Sequence, residues 1–255
     1  MKKNILLPLS LLITILALTA APLPAQEQRP EAVAKSNPGQ VFQEILKSYE
    51  SLKDYTTKIQ AKVKMPGFRV PDFTAKLYFK RPDKFHIETK SFAPLPRNSG
   101  VFNPFLFDPE KNRITYRQAE ALNGVRAELY KVEPLEDEAR IRYYQVWIGG
   151  SPKRILQVES HSFKGTKALV QPEYQTVQAG SEKWLLPEKV HVHMTFPGGG
   201  QGPDASLFAA QDNPFSRGMG RIDNIPGEGD IYLTYSEWQI NTGLDDGLFQ
   251  KNRER

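Results

Sequence analysis

The chain has 255 residues, with 34 Lys and Arg against 29 Asp and Glu, a formal charge of +5 and no cysteine. Disulfides, thiol catalysis and cysteine-based metal sites are therefore excluded. No dense block of Lys and Arg marks a nucleic-acid surface, while 3 Trp, 10 Tyr and 14 Phe suffice for a core or an apolar cavity.

Lys2 and Lys3 precede an apolar run from Ile5 to Ala21, which ends in the small-residue stretch "APLPAQ". This pattern predicts a secretory signal peptide over residues 1–25, with cleavage after Ala25. An uncleaved anchor is the other reading, although the run falls just short of the roughly 18–20 residues of a spanning helix and Pro8 interrupts it. No cysteine stands at the cleavage point to carry a lipid. A soluble periplasmic product is the expectation, with residues 26–37 as a polar, flexible leader.

The stretch "NPGQVFQEILKSYESLKDY" predicts a helix of about four turns. Asn37 can cap it, Pro38 suits its first position, and Gln40 stands three residues after the cap. Phe42, Ile45, Leu46, Tyr49 and Leu52 form one apolar stripe at helical spacing. The period then changes to two. Ile59, Ala61, Val63 and Met65 alternate with Lys58, Gln60, Lys62 and Lys64. After the turn at Pro66-Gly67, Phe73, Ala75, Leu77 and Phe79 alternate with Thr74, Lys76, Tyr78 and Lys80. Beyond Arg81-Pro82, Phe85 and Ile87 alternate with Lys84, His86 and Glu88. These are strands with one apolar and one wet face.

Further strands are readable near 113–117, 125–132, 141–148, 154–161, 168–174, 183–196 and 230–240. About ten strands with short connections predict a mainly β (α+β) chain, folded over 38–255 as one large, curved antiparallel sheet. One helix cannot cover ten strands, so loops or a ligand cavity must complete the apolar face. Two long segments could supply the loops. Residues 91–109 carry Phe92, Phe102, Phe105 and Phe107. Residues 197–229 are rich in Gly and Pro, and an apolar lid and a plain surface loop both fit them.

Catalytic signatures are missing: G-x-S-x-G, H-E-x-x-H, a P-loop and an EF-hand loop do not occur. His191 and His193 share one face of a strand, but Val190, Val192, Met194 and Phe196 hold the other, which places both imidazoles on the wet side. Neither a metal nor another cofactor is expected, and the chain reads as non-catalytic.

The segment "LYFKRPDKFHIE" (Leu77–Glu88) resembles the K-R-P-x-x-F region of the LolA-like family, periplasmic carriers of outer-membrane lipoproteins. "SYESLKDYTTKIQAKV", "QVWIGGSPKRILQVES" and "IYLTYSEWQINTGLDDGLF" resemble, in order, its helix-to-strand entry, its mid-chain hairpin and its closing strand. The resemblance implies an open β half-barrel with helices over its concave apolar face, a lid contact from Arg81, and lipid or acylated lipoprotein as cargo. For Arg81-Pro82 a purely structural role, ending strand pairing at a turn, stands beside lid gating. Candidate cavity-lining residues are Ile59, Ala61, Val63, Phe73, Leu77, Phe79, Phe85 and Ile87; candidate lid residues are Arg81, Phe102 and Phe105. A monomer is expected, served by membrane-associated donor and acceptor proteins and binding no nucleic acid. The family also contains periplasmic sensors, so binding of a protein partner such as an anti-sigma factor is the alternative.

Overall fold

The computed structural model describes residues 37–66, 71–89, 102–136, 140–197 and 227–250. The expected signal peptide and leader, Phe92 and most of both long loops lie outside these residues.

Helix α1 (Pro38–Lys47) opens the fold. Asn37 Oδ1 accepts from the Gly39 N–H at 3.1 Å and Pro38 takes the first helical position, so the predicted start holds. The helix is shorter than expected. Ser48 turns its hydroxyl back to the Ile45 carbonyl, and Tyr49, Glu50 and Leu52 make tighter bonds to Leu46, Lys47 and Tyr49. The apolar stripe nevertheless continues: Val41, Phe42, Ile45, Tyr49 and Leu52 are all buried.

Ten strands follow: β1 (Asp54–Lys64), β2 (Phe73–Lys80), β3 (Lys84–Thr89), β4 (Asn112–Leu122), β5 (Val125–Pro134), β6 (Ile141–Gly149), β7 (Arg154–Ser162), β8 (Lys167–Ala179), β9 (Glu182–Thr195) and β10 (Glu228–Ile240). They form one antiparallel sheet in the order β3-β2-β1-β10-β9-β8-β7-β6-β5-β4. The sheet is open, with β3 and β4 at its edges, so the chain between these consecutive strands travels from one edge to the other. Within that crossing, Pro104–Phe107 forms a 3₁₀ turn, with Asn103 Oδ1 accepting from the Phe105 N–H at 2.9 Å. A short helix α2 (Gly247–Gln250) closes the described chain.

Several strands run further than the sequence pattern suggested. β4 and β8 extend well beyond their predicted ends because bulges at Tyr116/Gln118 and Glu173/Tyr174 shift the face on which apolar residues fall. Asn123 and Gly124, at φ +50° and +78°, make the tight β4–β5 turn, where positive φ at both central residues favours Asn-Gly.

Register places the inner face row by row. Leu77, Thr57 and Ile87 stand together, as do Ala75, Ile59 and Tyr235; Ala61, Leu233 and Val190; and Val192, Val170, Val158 and Val146. These inward residues join the α1 stripe and Phe107 in one core. The outer face is mostly polar, but Ala127, Leu129 and Trp147 form a small second cluster there, with the Trp147 indole N–H donating to Glu120.

Candidate ligand-binding face

The crossing segment and the exit of α1 meet over the inner face through aromatic edges. Phe42 packs edge-on against Tyr130 and Phe107, and Phe107 against Tyr144. Phe102 lies between Tyr49 and Tyr174, with ring centroids 5.3 and 6.3 Å away. The tyrosines around it use their hydroxyls on carbonyls: Tyr55 donates to Phe102 at 2.8 Å, Tyr49 to Leu185 at 2.7 Å and Tyr174 to Ile155 at 2.9 Å. Loss of hydration pushes all three phenols well above the ordinary tyrosine range, and pushes Tyr144 up to about 12. Tyr49, Tyr55 and Tyr174 act as neutral donors in this layer.

Arg81 sits at the β2–β3 turn, and the peptide bond joining it to Pro82 is cis. Its Nη1 donates to the Glu50 carbonyl at 2.7 Å, and its guanidinium lies 4.2 Å from the centre of the Phe105 ring. Its backbone N–H bonds the Lys53 carbonyl at 3.0 Å. One side chain thus ties the turn, the end of α1 and the crossing segment together. Arg81, Phe102 and Phe105, the lid residues expected from the sequence, meet around the same covering layer.

The eight candidate lining residues divide in two. Ile59, Ala61, Val63, Phe73, Leu77 and Phe79 have relative exposures between 0 and 7 % and pack within the core. Phe85 and Ile87, on edge strand β3, are half-buried against it. Inner-face apolar residues with open surface lie on the other flank as well. Ile155, Val158, Ala168 and Val170 on β7 and β8 are half-buried. Sequence reasoning did not single these out, because Ser160 interrupts the apolar row on the inner face of β7 and Leu169 puts an apolar residue on the opposite face of β8.

A groove of about 1040 Å³ lies on the opposite, wet side of β2, β1 and β10, where Lys58, Gln60, Lys62, Thr74, Lys76 and Tyr232 contribute to its lining. Its ammonium groups and amides suit polar solutes rather than acyl chains. Nearby on the same face, His191 and His193 point outward as expected. Both meet Asp230 Oδ1, at 2.7 and 3.0 Å. Burial alone would raise the Asp230 pKa, but the two imidazole contacts outweigh it and hold the carboxyl below its usual value. Among the described residues no group of three His, Cys, Asp or Glu side chains is arranged to hold a metal ion.

A clasp that joins the two ends of the fold had little signature in the sequence. Asp54, buried at the start of β1, accepts from the Thr242 and Gly243 N–H groups at 2.8 and 3.1 Å. Asn241 returns the bond: its Oδ1 accepts from the Lys53 N–H at 2.7 Å and its Nδ2 donates to the Ser51 carbonyl at 2.8 Å. The Asn in the closing segment was visible as part of a resemblance; its partner Asp54 carried no signal of its own.

No protein-family model matches the sequence, and none of the curated proteins matches it. The fold does have counterparts among solved structures. A domain assigned to outer membrane lipoprotein sorting, from Vibrio parahaemolyticus, is 16% identical, with a TM-score of 0.54 over 85% of this chain and 97% of that one. A DUF1329 family protein from Desulfovibrio piger is 12% identical, with a TM-score of 0.52 over 86% of this chain and 100% of that one. A LolA superfamily protein from Nitrosomonas europaea is 12% identical, with a TM-score of 0.47 over 81% of this chain and 96% of that one. With its open ten-strand sheet and few helices, the chain shares the fold of that lipoprotein-sorting domain and of the DUF1329 family protein.

Proposed function

We propose that this protein is a non-catalytic periplasmic carrier that holds acyl chains of a lipoprotein or another lipid against the inner face of its half-barrel. The observation that carries the reading is the shortage of cover. Among the described residues, a ten-residue helix and a 3₁₀ turn lie over a ten-strand apolar face, and Ile155, Val158, Ala168 and Val170 keep open surface. The fold shared with a lipoprotein-sorting domain supports the same reading. No helix of the described residues is long and apolar enough to cross a membrane.

Magnitudes limit the cargo. A chain of roughly fifteen methylenes contributes about 12 kcal/mol at ~0.8 kcal/mol each. Association costs of ~4–15 kcal/mol take back most of that, so one chain binds weakly and two or three reach micromolar affinity or better. Phe85 and Ile87 at the β3 edge, and the β7–β8 strip at the other flank, are the surfaces offered to such chains. The more enclosed Ile59, Ala61, Val63, Phe73, Leu77 and Phe79 would form the floor. Arg81, through Glu50 and Phe105, would hold the covering layer shut until cargo or a membrane partner displaces it.

Native mass spectrometry of the protein recovered from its host should show a copurifying amphiphile. A fluorescent fatty acid should bind and be displaced by a diacylated or triacylated lipopeptide far better than by a single-chain lipid. Protein that arrives empty and ignores the probe would overturn the reading.

A further inference from the structure

The chain has three tryptophans. Two of their indole N–H groups are used: Trp147 donates to Glu120, and Trp184 to the Ser51 hydroxyl at 3.2 Å. The third is not. Trp238 Nε1, on β10, is buried and has no hydrogen-bond partner among the described residues. A buried donor without an acceptor loses its hydration and gains nothing in return, so native folds rarely leave one.

The backbone is distorted to place this ring on the inner face. Tyr235 points inward, and a regular strand would turn a residue three positions on to the outer face. Between Ser236 and Gln239 the register with β1 shifts, so that Glu237 and Trp238 together stand opposite Thr57. Such a bulge re-aims the side chain beside it. Glu237 takes the left-handed region at φ +54°, where a residue with a Cβ is strained. Its carboxylate meets Lys58 on the outer face at 2.9 Å. The Trp238 ring turns inward, stacked 5.9 Å from Tyr235 and edge-on to Tyr55 at 5.1 Å.

The neighbours decide what the donor can take. Burial holds the Tyr55 and Tyr235 phenols far above the ordinary range, so both rings beside the indole are neutral. An indole N–H among uncharged rings suits a neutral oxygen acceptor better than a carboxylate, which would give up its hydration for a single bond. Tyr55 also donates to the Phe102 carbonyl at 2.8 Å, so the ring against Trp238 is tied to the layer over the inner face.

We propose that Trp238 Nε1 is the docking point for the acyl carbonyl of the cargo, an ester or amide oxygen at the head of a chain held on the inner face. This rests on the carrier reading. With the covering layer closed the donor is unsatisfied; with the layer displaced and cargo bound it is satisfied. A ligand shifts an equilibrium only by its difference in affinity for the two states, and this bond is made in one of them alone.

The test displaces N-phenylnaphthylamine, an apolar dye without a carbonyl, with diacyl and dialkyl phosphatidylcholines of equal chain length. The diacyl lipid should bind the unsubstituted protein about fivefold to tenfold more tightly, the value of one buried hydrogen bond. Trp238→Phe should bind both lipids at the dialkyl level, whereas loss of a ring that only packs would weaken both alike. Glu237→Gly, unstrained in the left-handed region, should keep the preference. A measurement on the unsubstituted protein needs no variant to fold: one of the three indole N–H proton resonances should move downfield with the diacyl lipid and stay in place with the dialkyl lipid. No preference for the diacyl lipid in the unsubstituted protein, a preference that survives Trp238→Phe, or a free fatty acid bound more tightly than its methyl ester would each overturn the proposal. The two readings fail separately: dialkyl binding without a carbonyl preference removes only the Trp238 contact, whereas failure of the protein to bind the dye and both lipids removes the carrier.

Discussion

Ile59 and Leu77, on β1 and β2, are fully enclosed, whereas Val158 and Val170, facing each other across β7 and β8, keep part of their surface open. Both pairs belong to the inner face of one sheet. The difference lies in what covers them. The first flank is filled by its own large side chains, with Tyr55 stacked on Phe79 and edge-on to Trp238. The second offers smaller residues, Ala168 and Ser160 among them, and its apolar residues stay half-buried. Among the described residues, one flank is enclosed and the other half-buried.

Substitutions can break this contrast or sharpen it. Leu77→Ala should have the largest effect, about 2–5 kcal/mol of lost stability in a urea titration, because a fully packed site cannot collapse around the void. Val170→Ala should cost far less, under about 1.5 kcal/mol, since its surface is already partly wet. A similar cost at both positions would erase the distinction between the flanks. Val170→Asp should retain the fold and weaken fatty-acid probe binding more than about tenfold, by placing a charge where an acyl chain would lie.

Next comes the clasp. Asp54→Ala strands the Thr242 and Gly243 N–H groups, at a cost of about 1–3 kcal/mol, with faster hydrogen exchange at both ends of the fold. Arg81→Met should cost about 1 kcal/mol, since the hydrogen bond to Glu50 is exposed and the ring contact with Phe105 is a modest cation–π pair. Its more telling readout is exchange at residues 102–107, which should quicken while β1 and β10 stay protected.

The smallest effect belongs to Asp230. Its carboxyl is held below the ordinary value of 3.8 in the folded state. The carboxylate's stabilisation is therefore fully present above the unfolded value and is lost as the pH falls through the folded one. Asp230→Asn should flatten the acid limb of the stability profile below about pH 4 by less than ~1 kcal/mol, since the side chain is about one-third exposed.

The alternating runs of β1 to β3 were legible because apolar and polar residues alternate along them, with the inward residues buried on β1 and β2 and half-buried on β3. The same held for the start of α1, where Asn37 and Pro38 act within a few residues. The 3₁₀ turn at Pro104–Phe107 and helix α2 were not legible: four residues carry too little periodicity to separate them from a loop. The candidate site was readable only in part. Arg81 was singled out by the family resemblance and Phe105 by the aromatic content of its segment, and the two lie against each other. The open strip on β7 and β8 did not, because a half-buried strand mixes apolar and polar residues on the face that matters. Asp54 was hidden for another reason: its partners lie nearly the full length of the domain away.

The pairing of β1 with β10 puts the two ends of the fold side by side in the middle of the sheet. Thr57 donates to the Ser236 carbonyl across a separation of 179 residues. Until β10 is available, β2 and β3 have no neighbour linking them to β4 through β9, and only the hairpins of the meander can form. Long-range pairing of this kind delays folding. β10 is thus the last strand made, and it acts as the latch that sets the whole sheet.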